Sequence, residues 1–208
     1  MDNLILVNKT HSIDIDYVPL DLVACDKDLT ARRRYGAYLR KEPFEMVMKL
    51  RDAAKESNYD IYVSSGFRSG AEQQRIYARF RDQYIASLKE RYPSIGMEKI
   101  IEEAEILTKL KVAKPGQSEH QTGLAMDIAC FFNGNYDEDI SNIEEVEWMH
   151  ENAHKYGFIL RYPKGSEEIT GYRFEPWHYR YIGEEYATDF VKTGLTFEDY
   201  HSKILRLE

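Results

Sequence analysis

Imidazole and carboxylate groups, which bind metals and move protons, recur in two short stretches of the chain. The first is Ser118-Glu119-His120-Gln121-Thr122-Gly123-Leu124-Ala125-Met126-Asp127-Ile128. Gly123 permits a tight turn, after which Leu124, Met126 and Ile128 fall on one strand face and Ala125, Asp127 and Ala129 on the other. The small residues beside Asp127 leave room for an ion, and the turn folds His120 back towards it. Taken singly, each has a plainer reading, as a loop histidine and a hydrogen-bonded aspartate. Yet a carboxylate inside an apolar strand needs a cation, an arginine or a hydrogen-bond network, because burying it alone is costly.

The second stretch, Glu175-Pro176-Trp177-His178, follows the strand-like Gly171 to Phe174. Pro176 cannot donate to a sheet ladder, so the strand is expected to end or bulge there and turn Glu175 and His178 into one cleft. His178 then completes a His-Asp-His set, which suits catalytic zinc with three protein ligands and one open position. Glu175 is left to take a proton from an attacking water and pass it to a leaving amine. On its own this stretch is a weak signal, since a strand-end His beside a Trp is more often packing than ligation. A third element, Ser64 to Ser69, sets Arg68 at a strand-to-helix junction, where its guanidinium can meet a developing oxyanion or simply form a surface ion pair. A rival zinc pattern, His150-Glu151-Asn152-Ala153-His154, lies on an amphipathic helix whose apolar face is Ile143, Val146, Met149 and Ala153. It lacks a third ligand and reads as an ordinary helix surface.

The elements that must hold these groups follow from periodicity. Phe44, Val47, Met48, Leu50 and Ala54 recur at helical spacing between Glu42 and Ser57, with Pro43 suited to the first turn. Strands are expected at Leu4–Val7, Asp60–Ser64, Leu124–Cys130, Phe158–Tyr162 and Gly171–Phe174. Two charged helices should occupy Gln73 to Val112, broken around Pro93 to Gly96, with another helix over Asn142–Tyr156 and two short ones near Glu184–Lys192 and Phe197–Leu205. Strands and helices mingle without βαβ alternation, which predicts an α+β class with a small, mostly antiparallel central sheet flanked by helices.

At 208 residues and 43% hydrophobic side chains, residues 1–208 suit one domain with one core. A formal charge of −8 argues against nucleic acid as a partner. Cys25 and Cys130 lack the spacing of a disulfide framework or thiolate zinc site and are expected to be reduced, with Cys130 buried in a strand. The start of the chain shows no signal-peptide pattern and no stretch is long enough to span a bilayer, so a cytoplasmic location is expected.

Together, the Ser-Gly-Phe-Arg-Ser stretch with Gln73, the pattern S-x-H-x-x-G-x-A-x-D and the downstream E-x-W-H resemble the zinc D-Ala-D-Ala carboxypeptidases and dipeptidases of the VanY and VanXY type, and the related L,D-carboxypeptidases. The resemblance spans most of the chain from about Asn3 onward. It implies the zinc D-Ala-D-Ala peptidase (hedgehog-like) fold, zinc on His120, Asp127 and His178, Glu175 as base and Arg68 as transition-state stabiliser. Ser118 and Gln73 match positions of the substrate pocket. The implied activity is hydrolysis of D-Ala-D-Ala termini of small peptidoglycan-precursor peptides, with free-dipeptide cleavage as a further option, associated with vancomycin resistance. The competing readings are an L,D-carboxypeptidase acting on tetrapeptides and a non-catalytic zinc-containing peptidoglycan-binding module; Glu175 and Arg68 favour catalysis, since a structural site needs no base. Substrate length and oligomeric state are left open by the sequence.

Overall fold

The computed structural model describes residues 3–30, 37–132, 135–137 and 144–206, with the side chains of 130–132 and 135–137 outside that description. A short antiparallel pair comes first, β1 (Leu22–Ala24) with β2 (Tyr38–Arg40). Helix α1 (Lys41–Glu56) follows directly, with Pro43 in its first turn and Met46, Val47, Leu50 and Ala54 buried along one face. Strand β3 (Ile61–Ser65) then leads through the Gly66–Ser69 turn into α2 (Gly70–Arg91). The Ser69 hydroxyl caps α2 by accepting from the Glu72 amide at 3.2 Å. Helix α3 (Met97–Lys111) packs along α2, and the Tyr77 hydroxyl donates to Glu105 at 2.7 Å between them.

A 3-10 turn (Glu119–Thr122), closed by left-handed Gly123 at φ 70°, enters β4 (Ala125–Phe132). After β5 (Asn135–Asp137) come α4 (Glu144–Asn152), a 3-10 turn (Ala153–Tyr156), β6 (Phe158–Leu160), the single-turn α5 (Glu167–Thr170) and β7 (His178–Tyr181). The chain closes with α6 (Glu184–Thr193), α7 (Phe197–Asp199) and a π turn (Tyr200–Leu205). The main sheet is antiparallel throughout, in the order β3-β4-β7-β6, with β5 also paired to β4. The mixed, mostly antiparallel α+β architecture is as expected.

The core alternation of β4 is as its sequence predicts. Leu124, Met126 and Ile128 pack with α1 residues Val47 and Leu50 and with Tyr179 and Tyr181 in the main core. A second cluster, Ile159, Ile182, Ala187, Phe190, Phe197 and Tyr200, joins the sheet edge to the last helices.

Two expected strands are absent. Leu4–Val7 is extended but has no ladder, because the carbonyls of Asn3 and Ile5 accept from the buried Arg180 Nη2 at 3.0 and 2.6 Å. Gly171–Phe174 is irregular; the strand begins at His178, beyond Pro176, so the proline precedes a ladder and does not end one. The Cys130 side chain lies outside the described residues, while Cys25 is buried as a free thiol and burial pushes its pKa up to about 12.

Candidate active site

Asp127 lies opposite His178 in the β4–β7 ladder and opposite Ser65 of β3 on the other side. Between Val63 and Ser65 the β3 register slips by a bulge, which the sequence did not signal and which re-aims the strand end at the site. The Ser64 hydroxyl donates to the Asp127 carbonyl at 3.2 Å. Ser65 Oγ accepts from Arg68 Nε and Nη2 at 3.0 and 2.9 Å, and the same Nη2 donates to Asp127 Oδ2 at 2.6 Å.

Asp127 Oδ1 faces two imidazoles. His120 Nε2 lies 3.3 Å from it and His178 Nδ1 3.1 Å. The ligand atoms of His120, Asp127 and His178 lie within 4.8 Å of one another, a metal-sized set among the described residues. Bonds of about 2.0–2.1 Å in a tetrahedral zinc shell put neighbouring ligand atoms about 3.3 Å apart, so the two imidazole–carboxylate spacings and this N, N, O donor set fit the ion. His120 Nδ1 meets the Gly66 carbonyl at 2.7 Å, which fixes that ring with Nε2 turned to the carboxylate.

The electrostatics agree with a site built for a cation. Burial alone would raise the Asp127 carboxyl, but His120 and Arg68 hold it well below the usual range. Burial and the Arg68 charge lower His120. Burial would also lower His178, yet its hydrogen bond to Asp127 and the nearby Glu119 carboxylate carry it up to about 9 without a metal. Glu175 Oε2 lies 3.8 Å from His178 Nδ1, and burial pushes its carboxyl up to about 7 against the pull of His178.

Gln73 lies in the first turn of α2 and is 1% exposed; its amide donates to the Ala113 carbonyl at 2.7 Å, leaving Oε1 without a partner among the described residues. Ser118, also buried, leads into the turn that carries His120. The rival pattern stays apart: Glu151 is exposed, and the His150 ring packs 6.2 Å from Tyr179 and 6.4 Å from Phe174.

Sequence reasoning missed the charges behind the site. Glu119 Oε1 accepts from Arg161 Nε and Arg180 Nη1, both at 2.8 Å, and all three side chains have zero exposure. Arg161 also forks onto Glu198 at 2.9 and 2.6 Å. Burial works against the Glu119 charge, but Arg161 and Arg180 hold its carboxyl far below the usual range. The rule that singled out Asp127, a charge inside an apolar strand, could have flagged Arg161 near the end of the expected Phe158–Tyr162 strand but not Arg180, where no strand was expected.

A buried His-Asp-His set with a carboxylate beside it, mounted on a small antiparallel sheet, has the donor set and the proton acceptor that a metal-dependent hydrolase needs. The chain belongs to the VanY family of D-alanyl-D-alanine carboxypeptidases, which matches residues 36–184. It is 37% identical over 206 residues to the putative carboxypeptidase YodJ of Bacillus subtilis, covering 98% of this chain and 68% of that one. A D-alanyl-D-alanine carboxypeptidase of Enterococcus faecalis is 38% identical over 200 residues, covering 95% of this chain and 65% of that one. The chain thus spans about two thirds of the length of these two relatives. The bifunctional D-Ala-D-Ala dipeptidase and carboxypeptidase VanXYC of Enterococcus gallinarum is 32% identical over 206 residues, covering 97% and 94%.

Among solved structures, the LD-carboxypeptidase LdcB superposes with a TM-score of 0.79 at 38% identity, covering 96% of this chain and 85% of that one. A variant of the D,D-pentapeptidase VanY from a VanB-type resistance cassette, in complex with Zn(II), gives 0.73 at 34%, covering 96% and 98%. VanYB in complex with D-alanine-D-alanine gives 0.76 at 33%, covering 97% and 98%. No described helix is long and apolar enough to cross a membrane.

Proposed function

We propose that the chain is a zinc-dependent D,D-carboxypeptidase that removes the terminal D-Ala from D-Ala-D-Ala ends of peptidoglycan-precursor peptides. The observation that carries this reading is the convergence of His120 Nε2 and His178 Nδ1 on Asp127 Oδ1, with Glu175 3.8 Å from the same His178 nitrogen. His120, Asp127 and His178 are the ligands. When bound, zinc supplies Lewis-acid activation of water and polarisation of the scissile carbonyl.

Glu175 takes the proton of the attacking water at its carboxylate and returns it to the leaving amine; a carboxyl lifted towards 7 by burial is suited to both transfers. Arg68 commits Nε and Nη2 to Ser65 and Asp127, which orients the metal ligand and leaves Nη1 for the substrate oxygen as negative charge grows on it. Gln73 and Ser118 border the peptide's position, with the free Gln73 Oε1 as an acceptor for a substrate N–H. The buried contacts that tie the first described residues to Arg180 and α7 to Arg161 support one catalytic domain over residues 1–208. The resistance-cassette source of a similar structure supports a link to vancomycin resistance.

A second reading, L,D-carboxypeptidase action on tetrapeptides, is favoured by the likeness to LdcB. The zinc-loaded protein is incubated with D-Ala-D-Ala, a muramyl pentapeptide and a muramyl tetrapeptide, and released D-Ala is measured. Release from the pentapeptide, abolished by a chelator, is expected. Release from the tetrapeptide alone would replace the D,D reading with the L,D one.

A further inference from the structure

Glu119 is fully enclosed, yet the reaction described above gives it no task. Its Oε1 is taken by the two arginines, while Oε2 faces His178 Nε2 at 3.5 Å, and neither of these two atoms has a hydrogen-bond partner among the described residues. The opposite ring nitrogen, Nδ1, is the one turned to Asp127 Oδ1. The carboxylate is itself immobilised. Arg161 and Arg180 lie 5.4 and 5.3 Å from the Phe197 ring centroid; Arg161 is forked onto Glu198, and Arg180 Nη2 donates to the Asn3 and Ile5 carbonyls.

A neutral imidazole carries one proton, and an acceptor beside one nitrogen keeps it there, so that the other nitrogen presents its lone pair. His120 shows this arrangement with the Gly66 carbonyl behind Nδ1. Buried ionic groups give little net stability over apolar packing of the same volume, so stability alone does not account for a carboxylate here. We propose that Glu119 is a positioning residue that holds His178 as its Nε2–H tautomer and thereby aims Nδ1 at the zinc. This rests on His178 being a ligand, as proposed above.

Glu119→Gln tests it. The two arginines donate to the Oε1 position, so the amide oxygen should occupy it and leave the NH2 group facing Nε2. That arrangement favours the wrong tautomer without changing the shape of the residue. Zinc affinity, measured by chelator competition, is expected to fall about 10- to 100-fold. An imidazole 15N–1H spectrum of the zinc-loaded wild type is expected to show His178 protonated at Nε2 and metal-bound at Nδ1. Unchanged affinity in E119Q, or a wild-type His178 bound through Nε2, would overturn the inference. Should E119Q fail to fold, the wild-type spectrum decides alone. Zinc retained in full by His178→Ala would sink the ligand assignment itself, a result distinct from either of those, and this inference with it.

Discussion

In the proposed reaction Glu175 and Arg68 act on the same small volume but at different moments, and that difference is measurable. The Glu175 side chain approaches His178 at 3.8 Å and its carbonyl accepts from the His178 amide at 3.1 Å, so Glu175→Gln keeps the backbone contact, removes a proton acceptor and should leave the three proposed ligands in place. Turnover should drop by about a hundredfold or more while zinc content stays near one per chain. Near-normal turnover in that variant would remove Glu175 from the role of base. Arg68 has two duties, since the nitrogen on Asp127 orients a ligand while Nη1 remains for the substrate. Lys keeps the charge but cannot span Ser65, Asp127 and an oxyanion together. At saturating zinc, Arg68→Lys should lose roughly 2 to 4 kcal/mol of transition-state stabilisation, read as equal falls in kcat and kcat/KM. A steep rise in KM at constant kcat would instead make Arg68 a ground-state anchor, for instance for a terminal carboxylate.

At the scale of elements, the site depends on one turn. Gly66 sits between β3 and α2, the Phe67 amide donates to the Tyr38 carbonyl at 2.6 Å, and the Gly66 carbonyl receives His120. A Cβ at Gly66 would overlap the Tyr38 carbonyl, so the turn has to move away from β2 and carry the His120 partner with it. Gly66→Ala is expected to cost about 1 to 3 kcal/mol in denaturant unfolding and to weaken zinc binding. Loss of stability at full zinc affinity would show that the turn does not orient His120. Much of this frame is legible in the sequence, because α1 and β4 each bury one face and so leave a period to read. Strand β7 leaves none: His178, Tyr179, Arg180 and Tyr181 are all buried, so alternation vanishes and the strand was expected upstream. Leu4–Val7 has strand composition, but a side chain 177 positions from Asn3 takes its carbonyls, a long-range event that no local window contains. The proposed ligands are readable as a carboxylate inside the apolar run of β4 and as histidines a few residues from Gly123 and Pro176. The bulge at Ser64 and the pairing of Glu119 with two arginines are not, since both arise only when β3, β4, β6 and β7 lie side by side.

Across the whole molecule, the metal and the fold share protons. Without zinc, His178 is carried to about 9 from an ordinary 6.5, so its protonated form is stabilised by folding. That contribution is fully present below pH 6.5 and is lost as pH rises through about 9. With His178 as the proposed ligand, zinc requires the same imidazole without its proton, so the ion should displace one proton wherever His178 is charged. Affinity should therefore climb with pH across this window by close to tenfold per unit and level off above it. Ligand binding stabilises the native state by about 2.7 kcal/mol when free zinc stands at 100 times Kd, which for a chain of 208 residues corresponds to a rise in Tm of roughly 5 to 10 °C. The gap in Tm between zinc-saturated and metal-free protein, followed at one buffered free-zinc concentration, is expected to widen from pH 6.5 to 9 and to close towards pH 6. A gap that stays constant with pH would mean that no proton leaves when zinc enters, and that His178 is already neutral in the metal-free protein.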